Sequence, residues 1–183
     1  EHIISDTSSF PRDVFAIDMD NDLDIDICYF TTSTNPAIGW FENDGNQNFT
    51  AHVITDSINM PMSLFVSDLD RDGDMDVLSF SFGDNKIYWF ENDGNQGFTE
   101  YLLASVGGND LFVADMNGDS ALDVIAGALN SSKLAILYND GSQNFTATPI
   151  SPNKSGKGYV FGTDMVGDGD IDMVAGFDDD NQL

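Results

Sequence analysis

An aspartate-rich loop occurs four times along the chain at nearly constant spacing, and this repeat limits the fold more than any other feature. The four loops span residues 18–26, 68–76, 115–123 and 164–172, and their first aspartates lie 50, 47 and 49 residues apart. A second motif, containing Asn-Asp-Gly, keeps the same register at residues 40–50, 89–99 and 137–146. Two motifs in step with a period of about 48 residues indicate a repeat protein, whose units bury their faces only by stacking on one another.

Within each unit the apolar residues alternate with period two, which is typical of β-strands, and no useful helical period is present. Four strands are predicted per unit: strand a before the aspartate loop, strand b after it, and then strands c and d. In the second unit these strands span residues 64–68, 75–80, 87–90 and 98–103. The Asp-Gly pair between c and d favours a tight hairpin turn. The sequence therefore predicts an all-β fold of four-stranded antiparallel blades of the β-propeller type.

The frame of the repeat predicts about three complete blades with partial blades at both ends. Residues 1–6 match strand d of a preceding blade, residues 158–177 form the first two strands of a further blade, and residues 178–183 form an acidic tail. The complete blades are assigned to residues 13–56, 63–105 and 110–151. Because exposed strand edges recruit strands, we expect either a segment of a longer propeller or a protomer whose sheets are completed by a neighbour.

Side-chain oxygens at alternate positions of each loop converge on one point, and oxygen ligands in this number suit Ca²⁺. The expected ligands occupy loop positions 1, 3, 5, 7 and 9, with position 7 acting through its backbone carbonyl and position 9 closing the site. These residues are Asp18, Asp20, Asp22, Asp24, Asp26, Asp68, Asp70, Asp72, Asp74, Asp76, Asp115, Asn117, Asp119, Ala121, Asp123, Asp164, Asp168, Asp170 and Asp172. Val166 replaces the position-3 ligand, so the fourth of up to four calcium sites is predicted to be the weakest.

The third and fourth repeats, at residues 111–127 and 160–176, resemble the FG-GAP or VCBS repeats found in integrin α-subunit propellers and many secreted bacterial proteins. The resemblance covers essentially the whole chain. It implies calcium held between strands a and b of each blade, an extracellular setting, and adhesive or carbohydrate-related roles. Leu23 and Ser120 depart from it by replacing the glycine at loop position 6.

The charge of the chain excludes several classes of partner. The chain has 183 residues with 32 acids and 6 Lys or Arg, which gives a formal charge of −26. Such a surface repels nucleic-acid phosphates, and no apolar stretch approaches the length that a membrane span needs. Seventeen of the acids lie in the four loops, where four calcium ions would reduce the formal charge to −18.

Catalysis is not expected, although paired carboxylates can serve as a glycosidase acid and base. Metal ligands must stay ionised, whereas a general acid needs a raised pKa. Cys28 falls on an apolar position of strand b, and Trp40 and Trp89 on apolar positions of strand c, so core packing is the interpretation for all three. His52 falls on strand d and is expected at the surface.

The sequence thus predicts a non-enzymatic, secreted or cell-surface calcium-binding repeat protein that serves as a scaffold in adhesion, matrix or assembly. One alternative is a carbohydrate-binding module of a secreted polysaccharide-active protein. Another is a structural subunit of an extracellular polymer completed by strand exchange. The partner is accordingly an extracellular protein, a glycan or a second copy of the chain. Glycosylation sequons begin at Asn48, Asn130 and Asn144.

Overall fold

The four repeats fold into four antiparallel sheets that follow one another along the chain. A computed structural model describes residues 4, 11–32, 35–106, 108–127, 134–150 and 158–177. The strands are β1 (Pro11–Ile17), β2 (Asp26–Thr31), β3 (Ala37–Asn43), β4 (Phe49–Thr55), β5 (Pro61–Ser67), β6 (Asp76–Ser81), β7 (Lys86–Asn92), β8 (Phe98–Ala104), β9 (Asp110–Ala114), β10 (Asp123–Gly127), β11 (Leu134–Asn139), β12 (Phe145–Ile150), β13 (Gly158–Thr163) and β14 (Asp172–Phe177). The described part of the chain holds no helix long and apolar enough to cross a membrane.

The sheets have the strand order of propeller blades. Three sheets contain four strands in sequence order and the fourth contains only β13 and β14, which confirms the predicted all-β blades; the described sheets do not close into a ring. We call them blades one to four. The predicted strand at residues 1–6, apart from Ile4, the tail at residues 178–183 and the sequon at Asn130 lie outside the described residues.

Strand a begins earlier than predicted in the first two blades. β5 starts at Pro61 rather than residue 64, and its pairing with β6 is irregular between Pro61 and Ser63. The same irregularity occurs between Pro11 and Val14 in β1. Proline lacks an N–H and is tolerated at the first residue of a strand or beside a bulge. A prediction based on regular alternation of apolar residues therefore starts these strands too late.

The core consists of three apolar layers, each between two neighbouring blades. Blade one contributes Phe30 and Trp40 to the first layer, where they pack with Val66 of blade two. Residues of blades two and three form the second layer, and residues of blades three and four form the third. Each blade is too thin to bury both its faces alone, so stacking supplies the hydrophobic stabilisation.

A row of four phenylalanine rings joins the innermost strands of the four blades. Phe15 contacts Phe65 with ring centroids 5.5 Å apart, Phe65 contacts Phe112 at 5.5 Å, and Phe112 contacts Phe161 at 5.1 Å. Each phenylalanine stands three residues before the first aspartate of its loop. Tilted and edge-on arrangements at such distances are favourable for aromatic rings, so the row adds a specific contact to each layer.

The position of a ring in this row determines how much stability it contributes. We expect Phe65→Ala, which removes a ring with two aromatic neighbours, to lower the free energy of unfolding by roughly 3 kcal/mol. Phe161→Ala removes a ring that is 56% exposed and should cost about 1 kcal/mol. Urea unfolding in saturating calcium measures both values, and equal losses would contradict an energetic role for the row.

Candidate metal centres

Each aspartate loop joins the first two strands of its blade, and all four loops share one backbone conformation. The residues at loop positions 4 and 6 have positive φ in every loop: Asn21, Leu23, Arg71, Gly73, Gly118, Ser120, Gly167 and Gly169. Glycine adopts this conformation without steric cost and asparagine tolerates it, whereas leucine adopts it only at a steric cost. Two left-handed residues therefore give each loop the same tight winding.

The first aspartate of each loop holds this conformation through the backbone. Asp18 Oδ2 accepts the N–H of Leu23 at 3.0 Å, five residues further along the chain. The bond recurs from Gly73 to Asp68 at 3.2 Å, from Ser120 to Asp115 at 2.8 Å, and from Gly169 to Asp164 at 3.0 Å. Position 1 is therefore fixed in the same orientation in all four loops.

The last aspartate of the loop is buried in the three complete blades, where it links the loop to strand c. In blade two, Asp76 Oδ2 accepts the N–H of Leu69 at 3.0 Å and its Oδ1 accepts that of Asn92 at 2.8 Å. Blades one and three repeat both bonds, with Asp26 between Met19 and Asn43, and Asp123 between Met116 and Asn139. We call this arrangement the carboxylate clamp. Sequence reasoning assigned the carboxylate to a metal and missed the clamp.

Positions 1, 3 and 5 converge in the first two loops. The carboxylates of Asp18, Asp20 and Asp22 each place an oxygen within 4.8 Å of the others, and Asp68, Asp70 and Asp72 do the same. We call these two groups the aspartate triads. Three carboxylate oxygens at this separation fit a single Ca²⁺ with ligand distances of about 2.4 Å.

Two oxygens of the triads lack the partner that burial normally requires. Asp20 Oδ1 and Asp68 Oδ1 are both buried and accept no hydrogen bond from the described residues. A buried carboxylate oxygen without a partner is costly, and a cation is the partner that would satisfy several such oxygens at once. The residues present therefore fit a hard divalent cation.

The pKa shifts of the carboxyl groups in the first two loops also favour a bound cation. Burial is the largest cause that raises the pKa of Asp20, Asp26 and Asp70 above the usual range, and it raises the pKa of Asp76 to about 7. Negative neighbours add to the rise, as Asp22 does at Asp20. These shifts show that the charged forms are disfavoured in the protein alone, and a bound cation acts in the opposite direction.

The third and fourth loops bring fewer carboxylates together. Asn117 takes position 3 of the third loop, where its Nδ2 donates to Asp119 Oδ2 at 2.8 Å. Val166 takes position 3 of the fourth loop and is 74% exposed. In that loop the N–H groups of Gly169 and Gly167 are the main causes that lower the pKa of Asp164. The backbone thus already stabilises this carboxylate, and the loop offers fewer side-chain ligands.

The side chains at position 7 point toward the neighbouring c–d turn rather than into the triads. A Cβ on Gly45 would lie 2.4 Å from Asp24 Oδ2, and one on Gly94 would lie 2.4 Å from Asp74 Oδ2. Asp74 Oδ1 also accepts the Nδ2–H of Asn21 at 3.0 Å, which links the first two loops across blades. The backbone-carbonyl role of position 7, like the ligand role of position 9, stays a prediction.

The other side chains considered from the sequence have structural partners. Cys28 is fully buried, which raises the pKa of its thiol to about 12. Trp40 is also buried, and His52 stacks on it with ring centroids 4.6 Å apart. His52 Nε2 lies 2.7 Å from Glu42 Oε2. His52 thus lies on the outer strand with its side chain 25% exposed, and its strand also pairs it with Trp40.

A glycine-to-leucine exchange at loop position 6 tests the cost of the left-handed conformation. Gly73→Leu should lower the free energy of unfolding by about 1–2 kcal/mol, because φ is +100° at this residue while its Cβ would meet no atom within 4 Å. The reverse change, Leu23→Gly, should stabilise by up to about 1 kcal/mol. Gly73→Asn is the control in urea unfolding, and a loss as large as that of Gly73→Leu would contradict the backbone explanation.

Comparisons with known proteins agree with the repeat. The sequence model of the FG-GAP-like repeat matches residues 18–79, 68–126 and 115–175. No curated protein sequence matches the chain. A solved structure of a lectin from Agrocybe aegerita, described by its specific recognition of non-reducing terminal N-acetylglucosamine, is similar with a TM-score of 0.62 and 19% identity.

That alignment covers 88% of this chain and 46% of the lectin chain, so the chain spans just under half the length of the lectin. At this identity the likeness is one of fold. The repeat matches, by contrast, run from residue 18 to residue 175 and include all four loops. The chain belongs to the FG-GAP-like repeat family.

Proposed function

We propose that the chain is a non-enzymatic, calcium-stabilised repeat scaffold of an extracellular protein, which presents its surface for adhesion, matrix formation or assembly. The aspartate triads support this proposal most directly, because each combines three convergent carboxylates with a buried oxygen that has no hydrogen-bond partner among the described residues. Membership of the FG-GAP-like family supports the extracellular repeat scaffold.

Calcium would act mainly on folding. Asp20 and Asp70 lie beside further carboxylates whose repulsion adds to the rise of their pKa. Such repulsion is strong within a loop, because charges closer than the Debye length of about 8 Å are poorly screened by salt. A divalent cation at each triad would convert this repulsion into attraction, and its binding energy would then contribute to the stability of the folded state.

The surroundings of the reactive residues support a role without catalysis. Cys28 is fully buried, and burial raises the pKa of its thiol, so it is not available as a thiolate. His52 is paired with Glu42 against a tryptophan ring. The carboxylates of the clamp each accept two backbone N–H groups. Each of these groups is thus engaged in contacts that hold the fold together.

Carbohydrate binding and assembly by strand exchange stay predictions. The recognition of N-acetylglucosamine is a property of the Agrocybe aegerita lectin, and it supports carbohydrate binding here only through a shared fold. Sequons at Asn48 and Asn144 lie on exposed c–d turns, where the side-chain amides donate to Asp44 and Asp140. Glycans at these two turns would be compatible with an extracellular scaffold.

Removal of calcium should destabilise the protein strongly. With the two triads loaded, excess chelator should lower the melting temperature by roughly 10 °C or more, because each ion stabilises only the folded state. Differential scanning calorimetry measures the shift, and chelator already saturated with calcium is the control. An unchanged melting temperature would refute the structural role of calcium.

Restoring the missing ligand should strengthen the fourth site. Val166→Asp supplies a carboxylate at position 3, and isothermal titration calorimetry should detect a calcium affinity at one site raised by roughly ten-fold, since affinity depends on ligand charge and number. Val14→Asp is the matched control, because Val14 is also exposed and lies in β1 outside the loops. An equal effect of both variants would show that net charge alone is responsible.

A further inference from the structure

The outer strands of blades two and three diverge and leave a cavity between them. β8 and β12 touch at few points, whereas the innermost strands β5 and β9 pack together more closely. The cavity has a volume of about 380 Å³. We call it the seam pocket, and its walls include Trp89, Glu91, Tyr101 and Leu102 of blade two and Gln143 and Asn144 of blade three.

An aromatic pair and a carboxylate lie together in the seam pocket. The Tyr101 ring stacks on Trp89 with centroids 4.9 Å apart and an interplanar angle of 29°. Trp89 is 3% exposed and Tyr101 is 43% exposed, so Tyr101 is the ring that a ligand can reach. Glu91 lies close enough to the Tyr101 hydroxyl to be the main cause that raises the pKa of Tyr101. Glu91 therefore lies beside the exposed ring.

The Glu91 carboxylate keeps most of its capacity to accept hydrogen bonds. An ionised carboxylate has about four acceptor sites, and the neighbouring Tyr101 hydroxyl can occupy only one of them. Asn144 donates its Nδ2–H to Asp140 Oδ2 at 3.0 Å, which leaves its amide oxygen as an acceptor at the wall of the pocket. The polar groups here therefore suit a ligand that brings several donors.

The charge around the seam pocket favours a cation. The whole chain has 32 acids against 6 Lys or Arg, and no basic residue lines the pocket. Asp70 of the second triad lies close enough for its charge to affect Tyr101, and for Glu91 to raise the pKa of Asp70. This field concentrates positively charged groups and repels anions, even with calcium in the loops.

We propose that the seam pocket binds an arginine side chain of a basic partner protein, with Glu91 accepting its N–H groups and Tyr101 stacking on its guanidinium plane. Arginine combines the features that these residues complement: a permanent positive charge, a planar fork of donors that matches a carboxylate, and a face that stacks on aromatic rings. The site adds to the scaffold function a defined class of partner, and it does not depend on the identity of the metal.

Blade one carries a related group in which a histidine takes the place of the tyrosine. Trp40, Glu42 and His52 occupy the positions of Trp89, Glu91 and Tyr101. The close contact of His52 Nε2 with Glu42, at 2.7 Å, already occupies that carboxylate. We therefore expect the seam between blades one and two to bind arginine more weakly.

The test uses the full chain with saturating calcium, so that the loops are occupied, and L-argininamide as the probe. Titration followed by ¹⁵N-resolved NMR should shift the amide signals of residues 89–91, 101–103 and 143–145. Glu91→Gln should raise the dissociation constant about five-fold or more, as expected for a lost charge-assisted hydrogen bond. Glu100→Gln is the matched control: it removes the same charge, but Glu100 pairs with Phe90 rather than Trp89 and does not line the pocket.

Two changes at Tyr101 separate ring stacking from hydrogen bonding. Tyr101→Phe keeps the ring and should bind nearly as well as the native chain, whereas Tyr101→Ala should weaken binding about three-fold. Melting temperatures and NMR spectra of all variants verify that each is folded.

Three outcomes would overturn the proposal. Equal losses in Glu91→Gln and Glu100→Gln would assign the effect to the general field of the protein. Shifts confined to the aspartate loops would place the cation there instead. Saturable shifts of the pocket signals with neutral methyl glycosides, abolished by Tyr101→Phe, would identify a saccharide site.

Discussion

Each complete blade depends on a buried carboxylate that satisfies two backbone N–H groups at once. Asp26, Asp76 and Asp123 have no exposed surface, and a buried charge costs several kcal/mol unless hydrogen bonds or an opposite charge compensate it. The two N–H groups of the carboxylate clamp provide part of that compensation. The remaining acids of the loop act against it, because they carry the same charge. A cation in the loop is the opposite charge that this arrangement lacks, and it would make metal binding and blade folding a single process.

The clamp also orients the triads from outside the metal site. The N–H bound to Asp76 belongs to Leu69, which lies between the first two members of the second triad, Asp68 and Asp70. The other N–H belongs to Asn92 at the end of strand c, so the loop is fixed to the core of its own blade. Hydrogen bonds that orient the metal ligands raise metal affinity, because less conformational freedom is lost on binding. Blade four has only the first of the two bonds, from Met165 to Asp172, since its described part contains no strand c.

Repetition and spacing were enough to predict the blades and the convergence of positions 1, 3 and 5 in the first two loops, because both follow from local periodicity. The clamp was not predicted, since Asp76 and Asn92 are separated by 16 residues and become neighbours only when strands b and c pair. The sequence places Asn92 in the Asn-Asp-Gly motif of the c–d turn and indicates no other role for it. The phenylalanine row was also missed, although each ring precedes its loop by the same three residues. That signal shows a repeated position, but only the packing of neighbouring blades shows that the repeated rings touch.

The inner and outer strands of a blade differ in how much they contribute to packing between blades. Near the inner strands, neighbouring blades are held together by the phenylalanine row, and substitutions there affect several contacts. At the outer strands the blades separate, and the residue opposite strand c changes from His52 to Tyr101 to Thr148 in successive blades. His52 and Tyr101 each stack on a tryptophan of an apolar layer, but none of the three side chains belongs to the clamp. These outer positions can therefore differ between blades at little cost to the stability of the loops.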